Sequence, residues 1–149
     1  MQINSALFSI RPQHAENIFC GKKTVELRRT RPKKLRVGSV VMVYVSSPQK
    51  ALRGAFSVAG VIQKPISELW ELVKDKAHLS QREFEEYFAS TSEGVAIFIG
   101  KVWYLQEPIK LKELREMINN FRPPQSFRYT KKGEIKIPIM YCKKSQSGD

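Results

Sequence analysis

Read as a pattern of apolar and polar positions, the chain alternates β-branched runs with short stretches of helical spacing. "NSALFSI" (4–10) is a short apolar run that predicts an edge or barrel strand. "RPQHAENIFCG" then puts Pro12 in a first-turn position, spaces Ala15, Ile18 and Phe19 along one helix face, and stops at Gly21. "TVELRR" alternates, with Val25 and Leu27 on one face and Thr24, Glu26 and Arg28 on the other. "SVVMVYVSSP" (39–48) is apolar almost throughout, which predicts a strand buried on both faces or set in a barrel wall. "RGAFSVAGVIQKP" (53–65) predicts another strand, with Gly54 and Gly60 where a bulge or sharp coil needs them.

Two helices are predicted next. One runs from Ser67 through "ELWELVKDK"; the other opens with Ser80 and Glu83 at capping-box spacing and gathers Phe84, Tyr87 and Phe88 on one side. The spacing of Trp70, Phe84, Tyr87, Phe88 and Trp103 suits a core. "GVAIFIGKVWYL" (94–105) predicts a long strand and "LKELREMI" (111–118) a short amphipathic helix. "RPPQSFRYT" (122–130) reads as a loop, and "EIKIPIMYC" (134–142) as a strand able to close the sheet. Five or six strands, short helices and no βαβ regularity predict an α+β fold built round a small mixed β-barrel. No repeat or linker divides the chain, so the expected layout is one domain over 1–143 and a flexible tail over 144–149.

Composition narrows the class. With 149 residues the chain is long enough to bury a core without staples, and 42% hydrophobic against 27% charged residues argues against disorder. No apolar run is long enough to span a membrane, and the first residues lack the pattern of a secretory signal. The expectation is a cytoplasmic protein. Cys20 and Cys142 form no CxxC pair and are expected to be reduced; with only His14 and His78 beside them, no metal or cofactor is expected. No Gly-rich phosphate loop argues for ATP or GTP use. His14 falls on the expected outer side of the first helix, and neither histidine receives a role.

Charge changes the picture most. The formal net charge is +12, which favours a polyanionic partner. Between residues 22 and 36 stand Lys22, Lys23, Arg28, Arg29, Arg31, Lys33, Lys34 and Arg36, against Glu26 alone. A carboxylate in that field is expected to stay ionised and to pair with Arg28 or a lysine. Three readings follow. Glu26 and Arg28 form a surface ion pair on an edge strand; or Glu26 orients Arg28 and a lysine toward a phosphate or base edge; or a lysine crowded by cations acts as base or nucleophile. Glu26 opposes the third, because a neighbouring carboxylate favours the ammonium form, so the residues lean toward recognition.

The run Gly21, Lys23, Glu26, Arg28 fills a Gly-x-Lys-x-x-Glu-x-Arg pattern after a short helix, and by it the chain resembles the ASCH-domain family, relatives of the PUA-like barrels. "SIRPQHAENIFCG", "GSVVMVYVSSP", "LRGAFSVAGVI" and "PPQSFRY" extend the likeness over nearly the whole length. The resemblance implies a β-barrel with a cleft lined by the signature and nucleic acid, RNA above all, as ligand. Some small ASCH proteins hydrolyse acylated cytidines with a lysine and a threonine three residues later. Here Lys23 matches the lysine, but Glu26 holds the threonine's place and Thr24 lies one residue on. Ribonuclease activity is also associated with the family.

Two further stretches carry candidate contacts. Ser46 and Ser47, at a strand end, are read either as hydrogen-bonding a base or phosphate or as satisfying a local turn before Pro48. In "PPQSFRY", Phe127, Arg128 and Tyr129 either stack on bases and touch phosphate or cover the barrel; Ser126 and Arg128 join the site if the loop folds over the cleft. The expected ligand is RNA or single-stranded DNA, bound through Lys22, Lys23, Thr24, Glu26, Arg28, Arg29 and Arg31 with these residues. A nucleotide or a modified nucleoside is the alternative, with Lys23 and Glu26 as the candidate catalytic groups. Composition leaves the oligomeric state open.

Overall fold

A computed structural model describes residues 5–131, 133–135 and 140–143. The strands are β1 (Ser5–Ile10), β2 (Val25–Arg28), β3 (Val40–Val45), β4 (Ala51–Pro65), β5 (Glu93–Lys110), β6 (Phe127–Tyr129) and β7 (Met140–Cys142). The helices are α1 (Pro12–Phe19), α2 (Ile66–Val73), α3 (Gln81–Tyr87) and α4 (Leu111–Met117). One sheet runs β2-β5-β4-β3-β1-β6, with β7 on β5, and β1 lies parallel to β3 across the α1 and β2 connection. The architecture is α+β, a sheet curled into a half-barrel.

The curl follows from the long hairpin of β4 and β5. Its register shifts between Leu52 and Gly54, Phe56 and Val58, and Val58 and Gly60 add residues to one strand, and each bends it. Gly54 is required there: a Cβ would lie 2.2 Å from the Trp103 carbonyl oxygen and 2.7 Å from the Phe19 ring. The predicted bulge glycines therefore sit where the sheet turns.

Alternation divides the side chains between two surfaces. Inside the curl, Ala6, Phe8 and Ile10 of β1, Val41, Val43 and Val45 of β3, Phe56 and Val58 of β4, and Val95 and Ile97 of β5 meet Ala15, Ile18 and Phe19 of α1. Outside, Val25, Leu27 and Ala96 pack on α2 and α3 through Leu69, Val73, Phe84 and Phe88. A third cluster seats Leu114 of α4 against Leu7, Tyr44, Leu52 and Ile109. In register, Glu26 stands opposite Ile97 and Arg28 opposite Val95, so both charged side chains emerge on the inner face. All four residues of β2 are buried although the strand ends the sheet.

Three expectations are corrected. The segment 122–130 is not all loop: Phe127–Tyr129 form β6, which extends the sheet antiparallel to β1. The strand read as 94–105 continues to Lys110, because the apolar face of β4 goes on pairing with it through Leu52 and Ala51. The segment read as closing the sheet contributes β7, which pairs with Trp103–Leu105 rather than joining the two ends. Residues 136–139 of that segment and the tail 144–149 lie outside the described residues. Among the described residues no helix is long and apolar enough to cross a membrane.

Candidate functional site

Among the described residues β2 and β6, the two ends of the sheet, share no ladder, and the side chain of Arg28 bridges from one to the residue before the other. Arg28 donates from Nε and Nη2 to Glu26 Oε2 at 3.1 and 2.8 Å, and from Nη2 to the Ser9 carbonyl at 3.2 Å. Its Nη1 reaches Ser126 Oγ at 2.9 Å and the Ser126 carbonyl at 3.2 Å. The guanidinium lies over the Phe8 ring, 4.4 Å from its centroid. A guanidinium has five N–H groups, and here every one meets a protein acceptor. The ion pair is thus no surface feature: its side chains are only 9% and 8% exposed. The expectation that Glu26 aims Arg28 at a ligand is inverted. Arg28 holds Glu26 through Oε2, and no donor among the described residues reaches Oε1.

Lys23 precedes β2, where its backbone N–H bonds the Asn17 carbonyl at the end of α1. The side chain runs to Ala77, a member of the cluster that packs on Val25 and Leu27. It is 3% exposed, and Nζ donates to the Ala77 carbonyl at 2.8 Å. Burial lowers its pKa, against the pull of Glu26 and with help from Arg28. Glu26 favours the ammonium form, as expected, but desolvation is the larger effect. Two of the three N–H bonds of Nζ have no protein acceptor among the described residues.

His14 is the residue that sequence reasoning missed. It is half-buried rather than on the outer side of α1, and its Nδ1 is buried with no hydrogen-bond partner. Burial lowers its pKa first and the charge of Lys23 second, while Glu26 and Glu83 pull the other way and Arg11 adds to the lowering. The usable signal was its place one turn before the buried Ile18, on the margin of the helix's inward face. Tyr87 was assigned to the core, and it does pack there; its hydroxyl also donates to the Leu27 carbonyl at 3.3 Å.

The remaining candidates separate. Lys22, Thr24, Arg29 and Arg31 are exposed beside the pair. Thr24 serves β2 through its backbone, donating to the Lys76 carbonyl and accepting from Ile99 N. Arg29 Nε bonds the Tyr87 carbonyl at 2.7 Å and stacks on that residue's ring at 4.1 Å. Ser126 is brought to Arg28. Ser46 bonds the Ile10 carbonyl of the neighbouring strand, and Ser47 is exposed in the turn. Arg128 is not aimed at the cleft but forms a bidentate pair with Glu134, at 3.1 and 2.7 Å. Phe127 packs on Phe8 and Tyr129 on Phe127, so their ring contacts belong to the barrel wall. Tyr129 also accepts from Lys34 N at 2.9 Å. Both cysteines are free, and among the described residues no group of three or more His, Cys, Asp or Glu is arranged for a metal ion.

Comparison with known proteins agrees with this fold. The family model described as the ASCH domain matches residues 8–115. An "ASCH domain-containing ribonuclease" of Zymomonas mobilis is 32% identical over 87% of this chain and 86% of its own length. The crystal structure of ASCH from Zymomonas mobilis superposes with a TM-score of 0.79 at 31% identity, covering 87% of this chain and 90% of that one. The large ribosomal subunit protein uL22 of Ureaplasma parvum is 29% identical over 84% of this chain, which spans 39% of that protein.

Proposed function

This chain belongs to the ASCH-domain family, and from that premise we propose that it binds RNA along the groove between β2 and β6. One observation carries the reading. A carboxylate fixed by Arg28 keeps one oxygen without a donor among the described residues, its charge acts on the buried Lys23, and Lys22, Arg29, Arg31 and Lys33, next to them in sequence, are exposed. The outer cations attract the phosphates, and Lys23 and Glu26 hold a sugar or base at the groove floor. Arg28 keeps the groove's two walls together and does not touch the strand. The name of the Zymomonas relative supports RNA as the polymer.

The test is equilibrium binding of labelled single-stranded RNA across a salt series, for the wild-type protein and Lys23→Gln. Binding that weakens steeply with salt, and weakens again in the variant at every salt, is the expected result. An RNA affinity indifferent to Lys23→Gln would remove the groove from the interface.

A second reading has one observation in its favour. Lys23, its pKa lowered, stands near a fixed carboxylate, as a base or nucleophile attacking RNA or a modified nucleoside would. Shortened RNA or deacylated nucleoside, formed by the wild-type protein and lost in Lys23→Gln, would select it.

A further inference from the structure

His14 is left over from that reading. Its Nδ1 is shut away from solvent with no partner, and an unpaired buried nitrogen costs free energy unless something bound supplies the missing bond. The groups near it complete a pattern. Glu26 Oε1 only accepts, Lys23 Nζ only donates, and a neutral imidazole Nδ1 does one or the other according to its tautomer. Lys23 is tied to α1 through its backbone bond to the Asn17 carbonyl, one turn after His14, and the charges of Lys23 and Glu26 both act on the ring.

We propose that His14, Glu26 and Lys23 form a subsite for the ribose 2′-hydroxyl, and that through it the groove distinguishes RNA from DNA. This rests on the reading that the groove binds RNA. A hydroxyl gives its one hydrogen to the carboxylate and with its two lone pairs accepts from the ammonium and from an imidazole protonated at Nδ1. A phosphate oxygen has no hydrogen to give and meets the charge of Glu26 as a repulsion. An exocyclic base amino group also donates to a carboxylate, but DNA carries the same group, so a comparison of the two polymers separates these sources. In DNA the missing hydroxyl leaves the carboxylate oxygen and the imidazole nitrogen unpaired and desolvated.

The experiment is equilibrium binding of three labelled oligonucleotides of one sequence: RNA, the matching DNA with uracil, and 2′-O-methyl RNA. The wild-type protein is expected to favour RNA over DNA by about ten-fold or more, the size of one hydrogen bond to a charged group, and to disfavour the methylated strand. His14→Ala should bring the RNA-to-DNA ratio toward one. His14→Phe keeps the ring's volume without its nitrogens, and reads the same ratio should the alanine variant fail to fold. Equal wild-type affinity for RNA and DNA overturns the subsite while leaving the groove in place, and so does an unchanged ratio in either folded variant. No retention of RNA by the wild-type protein overturns the groove reading and the subsite together.

Discussion

Arg28 and Glu26 show how burial changes the worth of an ion pair. On an exposed edge such a pair contributes about 0–1 kcal/mol, because water screens it. Here both side chains are nearly out of solvent, and removing one partner strands the other. Glu26→Ala should therefore cost about 3–5 kcal/mol in urea unfolding; a loss below about 1 kcal/mol would return the pair to the surface class. His14 gives a separate test at the same scale. Its pKa is lowered in the fold, by burial first and then by Lys23, with Arg11 acting likewise and Glu26 and Glu83 opposing. As pH falls below about 6.5, the unfolded chain takes up a proton that the folded chain declines. The stability His14 contributes is complete above that pH and is lost as pH drops through the folded value. Wild-type stability should thus fall more steeply with acid than that of His14→Phe, and parallel curves would contradict the lowered value.

At the scale of elements, the bent hairpin is the most exacting part. Gly54→Ala pushes a methyl group into the Trp103 carbonyl and the Phe19 ring, and backbone cannot give way as a flexible side chain can. A loss of about 1–3 kcal/mol or more is expected, read as a lower thermal midpoint; an unchanged midpoint would mean that the bulge relaxes freely. The hairpin, α1, α3 and β3 were legible because their signals are local: glycines inside β-branched runs, Pro12 at a helix start, Ser80 with Glu83. β6 was not, since three residues after two prolines become a strand only because β1 offers a free edge. The site divides the same way. Two-residue spacing made the Glu26–Arg28 pair readable, but Ser9 and Ser126, the other acceptors of Arg28, lie 19 and 98 positions away.

For the whole molecule, the excess of +12 acts as a field in which the groove sits. Each phosphate neutralised on a single strand adds about 0.7 to the slope of log affinity against log salt, so the binding series counts the cations engaged. On the proposed reading, that long-range attraction gathers a strand, and His14, Glu26 and Lys23 select what lies at the groove floor. The half-barrel has a further property. Every neighbouring pair of strands along the sheet is zipped by repeated backbone bonds, but among the described residues β2 is hydrogen-bonded to the segment before β6 through a rotatable side chain, that of Arg28. A ladder parts only when many bonds yield together, whereas a clasp parts at one point. On this side the curl is therefore held by a buried guanidinium and a shared apolar core in place of rungs.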